Sequence, residues 1–187
     1  MPKLNFVKKA RNNIYSEGTE DKKTGKVDRS RPADKDDELI VAKGDSYYWW
    51  KFRFGGKRIS KNKPRRSQLT QSEFYSTLYD LEDSVNDAGS DQESVAEALS
   101  SAADEVRSLG EEQSSKRDNM PESLQDSDTG SLLEERASEC ERLADELEQA
   151  ESEIRNIEID ESAPEDEGST LEDEIQNVLD GISWDIS

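Results

Sequence analysis

Hydrophobic positions along this 187-residue chain follow two rhythms. Near the N-terminus they alternate with polar residues; further on they recur every three or four positions. Residues 3–9 alternate around Leu4 and Phe6, which predicts a short strand. Residues 46–54 hold Tyr47, Tyr48, Trp49, Trp50, Phe52 and Phe54, aromatics of high β-propensity, and predict a second strand. Gly55-Gly56 reads as a hairpin turn, after which residues 57–61 pair back. Side chains alternate across a strand, so Tyr48, Trp50, Phe52 and Phe54 share an apolar face expected to be buried. Tyr47, Trp49, Lys51 and Arg53 share a mixed face expected to be exposed, with Trp49 more open than Trp50.

The helical rhythm starts after Thr70-Gln71-Ser72-Glu73, which reads as a capping box. Phe74, Leu78, Leu81 and Val85 then fall on one side of a helix expected to cover the apolar sheet face. Ser90 to Glu93 offers a second capping box. Val95, Leu99, Ala102, Val106 and Leu109 make one heptad seam. Leu133, Cys140, Leu143, Leu147, Ala150, Ile154 and Ile157 make another, with Arg136 the misfit. Asp118-Asn119-Met120-Pro121 must break the helix between them. The expected result is an antiparallel hairpin of residues 91–118 and 131–158. Leu109 faces Cys140, Val106 faces Leu143, Ala102 faces Leu147, Leu99 faces Ala150 and Val95 faces Ile154. Gly110 weakens the first helix on propensity. Thr170 opens a short helix with Leu171, Ile175, Val178 and Leu179 on one side, ending near Gly181.

The fold class is therefore α+β: a small three-stranded antiparallel sheet packed on one helix, then a coiled-coil-like helical hairpin and a short C-terminal helix. The parts are a basic sheet-plus-helix module over 1–88, an acidic hairpin over 90–159, and an acidic linker with a short helix over 160–187. Residues 16–38 hold one valine and one alanine among polar residues, and read as a loop or flexible insertion. Residues 160–169 read as linker.

Charge sharpens this division. Residues 1–66 carry 19 Lys+Arg against 9 Asp+Glu, and residues 67–187 carry 6 against 36. Lys116 is the one lysine beyond residue 66. Acid-rich, lysine-poor helix surfaces also suit proteins working in high salt. The chain has no histidine and one cysteine, Cys140, so the usual general base is missing and a structural zinc site and an internal disulfide are excluded. No phosphate-binding glycine loop occurs, and no carboxylate pair stands out from the polar helix faces, so neither an enzyme nor a cofactor is expected. No apolar run approaches the roughly 20 residues of a membrane span, and the basic N-terminus lacks the apolar stretch of a signal peptide. The expected location is cytoplasmic, the host-cell cytoplasm if the gene is viral.

The run YYWWKFRFGGKRISK, then Pro64 and SQLTQSEF, resembles the arm-type DNA-binding domain at the N-terminus of phage tyrosine integrases. The resemblance covers about 40 residues. It implies a three-stranded sheet whose exposed face enters the major groove, with Trp49, Lys51, Arg53, Lys57 and Arg58 at the matching positions. This chain departs in its paired tryptophans, its 16–38 insertion and the lack of a recombinase domain. The combination KGDSYYWWKFRFGG, PRRSQLTQSEF, DNMPESLQ and TGSLLEERASECE is also similar to uncharacterised proteins of tailed phages and related viruses.

From Lys51 to Arg66 there are eight Lys+Arg and no acid. The expected nucleic-acid contacts, to DNA in the first instance, are Trp49, Lys51, Arg53, Lys57, Arg58, Lys61, Lys63, Arg65 and Arg66. Cations neutralise phosphates, arginine reaches base edges, and a tryptophan ring packs on sugar or base. The competing expectation is that the cations merely keep an edge strand from aggregating. The alternative function is a protein-interaction factor or nucleic-acid mimic acting through the acidic helices, which could also self-associate. Cys140 reads as a small core residue.

Overall fold

The computed structural model describes residues 1–21, 26–158 and 170–186. Residues 22–25 of the insertion and the expected 160–169 linker lie outside them. The chain is mixed α and β and divides into two compact units, Met1–Ser76 and Thr77–Ser187.

In the first unit β1 (Asn5–Val7), β6 (Tyr47–Lys51) and β7 (Lys57–Ser60) form the expected antiparallel sheet, in the order β1-β6-β7. Tyr48 pairs with Ser60, Trp49 with Ile59, Trp50 with Arg58 and Lys51 with Lys57. On the other side Asn5, Phe6 and Val7 pair with Trp49, Tyr48 and Tyr47. Trp50 is 4% exposed, and Trp49 is only half-buried, as the alternation predicts. Phe54 departs from it. The strand stops at Lys51, so Phe52 through Gly56 form a longer connection than a two-residue turn. Beyond Lys51 the period of two no longer holds, and Phe54 stands 77% exposed with the Arg53 guanidinium 5.3 Å from its ring centre.

One short ladder lies within the 16–38 segment expected to be a loop, and another pairs the residues flanking it. Strands β2 (Ile14–Tyr15) and β5 (Leu39–Val41) pair, as do β3 (Thr19–Glu20) and β4 (Val27–Asp28). The β3/β4 ladder is exposed on both strands and rests on hydrogen bonds, which is why no hydrophobic pattern announces it, whereas the β2/β5 pair buries Val41. Asp37 is the hub: its carboxylate accepts from the Ser16 hydroxyl at 2.7 Å and from the amides of Glu17, Gly18 and Ala33 at 2.8–2.9 Å. Desolvation pushes the Asp37 pKa up, but those four bonds outweigh it and hold the group far below its ordinary value. Gly18 has φ +75°, and a Cβ there would strike the backbone of Asp28 and Arg29.

Helix α1 spans Glu73–Asn86 and buries Phe74, Leu78, Leu81 and Val85, the predicted stripe. The Thr70 box does not form. A 3₁₀ turn over Ser67–Leu69 leaves Thr70 extended, its hydroxyl accepts from the Ser72 amide, and the Ser72 carbonyl begins the helix.

In the second unit α2 (Gln92–Asp118) packs antiparallel on α4 (Asp128–Arg155) across the turn α3 (Glu122–Gln125). Asp91 caps α2 through Ser94, one residue later than the box read at Ser90. All ten residues of the five predicted layers are buried. Cross-helix contacts fix the register: Gln92 donates to the Ile154 carbonyl, Arg155 meets Glu93 and Arg117 meets Glu134 at opposite ends. Cys140 is fully enclosed and its thiol is pushed up to about 11, chiefly by desolvation. Helix α5 (Leu171–Asp180) starts at the expected Thr170, with Asp173 completing a capping box, and packs on α4. No helix among the described residues is long and apolar enough to cross a membrane.

Candidate nucleic-acid interface

Residues paired across antiparallel strands lie on the same face of the sheet. Tyr47, Trp49 and Lys51 therefore share a face with Val7, Ile59 and Lys57. The Lys57 ammonium lies 4.5 Å from the Trp49 ring centre, a cation–π contact. Lys51 and Lys57 stand directly opposite one another, an arrangement that costs stability.

A cleft of about 640 Å³ opens on this same face. Its floor includes Val7, Tyr47 and Ile59, and Lys9, Arg11, Arg29 and Lys57 are among its lining residues. No acidic side chain among the described residues lines it. Arg29 comes from just beyond β4. The tight Gly18 turn holds that backbone, the Arg29 carbonyl accepts from the Tyr15 amide, and its guanidinium donates to the Lys57 carbonyl at 3.3 Å. Burial lowers the Lys57 pKa, and the Arg29 charge lowers it further.

The expected contact residues divide among several places. Trp49, Lys51 and Lys57 come together on the cleft face. Arg58 pairs with Trp50 and so belongs to the opposite face. Arg53 sits past the end of β6, on Phe54. Lys61 is exposed but forms an ion pair with Asp45 at 3.0 Å. Lys63, Arg65 and Arg66 are exposed on the segment after β7, and Arg65 and Arg66 already interact within the chain. Lys51, Arg53, Lys57, Arg58 and Lys63 have no described carboxylate within ion-pair distance. The same is true of Lys9, Arg11 and Arg29, which the sequence did not single out. A signal for them existed: only eight of the 19 cations in residues 1–66 belong to the 51–66 run.

The class defined is a small basic-faced antiparallel sheet followed by an acidic helical hairpin. The chain matches no protein-family model, no curated protein and no solved structure. Among the described residues no cluster of His, Cys, Asp and Glu is arranged to hold a metal ion.

Proposed function

We propose that this is a nucleic-acid-binding accessory protein, acting on DNA in the first instance through the Trp49 face of its sheet. The observation that carries the reading is the gathering of like charge at a cost to the fold. Lys51 opposes Lys57, and Arg29 lies against Lys57, with no described carboxylate paired to any of them. Folding alone would favour an acid at one of these positions. A polyanion supplies the missing charge, releasing its own counterions as it binds. The resemblance of the 46–75 segment to integrase arm-type domains supports the reading at Trp49, Lys51 and Lys57 but not at Arg58, which lies on the opposite face, and the similarity to tailed-phage proteins supports a viral origin.

A salt-dependent titration of the full chain with labelled DNA tests the reading. Affinity should fall steeply with salt, with a log–log slope of about −0.9 for each phosphate neutralised on duplex. Replacing Lys51 and Lys57 together by alanine should flatten that slope by about two contacts. Arg58→Ala, on the opposite face, should change it little. Absence of binding at low salt would sink the proposal. Equal losses from Arg58→Ala and the double variant would show that charge matters but this face does not.

A further inference from the structure

We propose that the cleft on the Trp49 face seats one unpaired nucleotide, so that the protein prefers single-stranded nucleic acid over duplex. This rests on the nucleic-acid reading above and narrows it to a kind of strand. Two features of the cleft lead there.

The first is its mixed chemistry. A site for phosphate alone needs cations and no apolar floor, yet Val7, Tyr47 and Ile59 all line this one. Proteins that hold single strands combine a positive groove along the backbone with aromatic rings under the bases. Tyr47 supplies a half-buried ring at the floor, while Arg11, Arg29 and Lys57 stand where flanking phosphates would run. The volume of about 640 Å³ lies within the roughly 300–1,000 Å³ of small-ligand pockets. A base still paired and stacked inside a duplex cannot enter such a recess without being extruded.

The second is a spare amide. Asn12 and Asn13 both line the cleft. Asn13 is already used, accepting from the Lys43 amide at 2.8 Å. Asn12 is exposed and makes no side-chain hydrogen bond to a described residue, which leaves its carbonyl and amino groups available at the rim.

The experiment compares three labelled DNA probes of one length on the full chain at one salt concentration: a single strand, the duplex, and a single strand lacking every base. The ordinary single strand should bind about tenfold or more tighter than the duplex, and the abasic strand should lose about tenfold, the worth of a stacked base. Tyr47→Ala should bring the ordinary strand down to the abasic level. The abasic arm needs no substitution, so it decides the matter even if that variant unfolds. Duplex binding as tight as single strand, or abasic binding as tight as the ordinary strand, overturns the cleft assignment and leaves the phosphate-binding face standing. Failure of all three probes at low salt overturns both.

Discussion

Replacing Leu147 by alanine measures how firmly the helical hairpin is built. Leu147 is fully buried, and its layer partner Ala102 is 2% exposed. The substitution removes three carbon groups from an enclosed site, or about 2.4 kcal/mol at roughly 0.8 per group. The facing alanine is too small to fill the gap, and ion pairs at both ends of the hairpin hold the helices in place. A remaining void of about 60 Å³ would add about 1.5 kcal/mol, for a total of about 4. Urea unfolding followed by helical circular dichroism reads this directly. With a slope of about 2 kcal/mol per molar, the midpoint should fall by about 2 M. The double variant Ala102→Leu/Leu147→Ala moves the large side chain to the other helix. It should recover at least about 1 kcal/mol relative to the sum of the single changes. A loss below about 1 kcal/mol for Leu147→Ala, or strict additivity in the double variant, would refute the shared layer.

Gly110→Ala should lower the same midpoint, although alanine is the better helix former by about 1 kcal/mol. The new Cβ would lie 3.0 Å from that of Cys140, and a raised midpoint would show that the helices give way there. Cys140 should react with an aromatic disulfide at pH 8 about a hundredfold more slowly in native protein than in denaturant, since burial holds its thiol up to about 11; reaction of the native thiol at the denatured rate would contradict the enclosure. Asp37 has its pKa lowered by folding, so the hub contributes fully above the ordinary carboxyl value of 3.8, and its contribution declines below that value and is gone only as pH falls through the much lower folded-state pKa. Protection of the Gly18 and Ala33 amides, relative to their intrinsic exchange rates, should fall over that acid range and in Asp37→Asn at neutral pH; unchanged protection in the variant would show that the hub does not hold this turn.

What the sequence disclosed depended on whether the deciding forces were local and periodic. The helical hairpin was legible down to its register. Two apolar seams and a Pro121 break predict Val106 on Leu143 and Val95 on Ile154; all four are buried, and Gln92 at Ile154 and Gly110 at Cys140 agree with that register. Gly110 was misread because propensity is a property of one helix, whereas its reason lies on the other: a bare Cα lets α4 approach at Cys140. The caps fall elsewhere than the boxes read at Ser90 and Thr70: Asp91 accepts from the Ser94 amide, and the Thr70 hydroxyl accepts from Ser72 rather than from Glu73. Strand alternation placed Trp50 and Trp49 correctly and failed at Phe54, where the strand had already ended. The cleft was the least legible part. Arg29 reaches it from a polar segment held by hydrogen bonds, with its carbonyl on the Tyr15 amide and its guanidinium on the Lys57 carbonyl, and no hydrophobic pattern encodes those ties.

Charge does different work in the two units. On the helical hairpin Arg107, Lys116, Arg117, Arg142 and Arg155 each meet a carboxylate within 4 Å. Those cations are spent on exposed pairs, each of modest worth, and what remains is a surplus of acid directed at solvent. A solvated acidic surface of this kind needs no ligand to explain it. The sheet follows the opposite rule. Lys51, Lys57 and Arg29 are crowded together without a described acid, although the chain is rich in carboxylates that could have been placed beside them. Salt adaptation accounts for an excess of acid but not for a basic face kept clear of it. Protecting an edge from aggregation accounts for exposed lysines on a strand but not for Arg29 brought in from another ladder onto the Lys57 carbonyl. The convergence of cations from separate segments on one apolar-floored cleft is the feature on which the nucleic-acid proposal rests, and neither salt adaptation nor edge protection produces it.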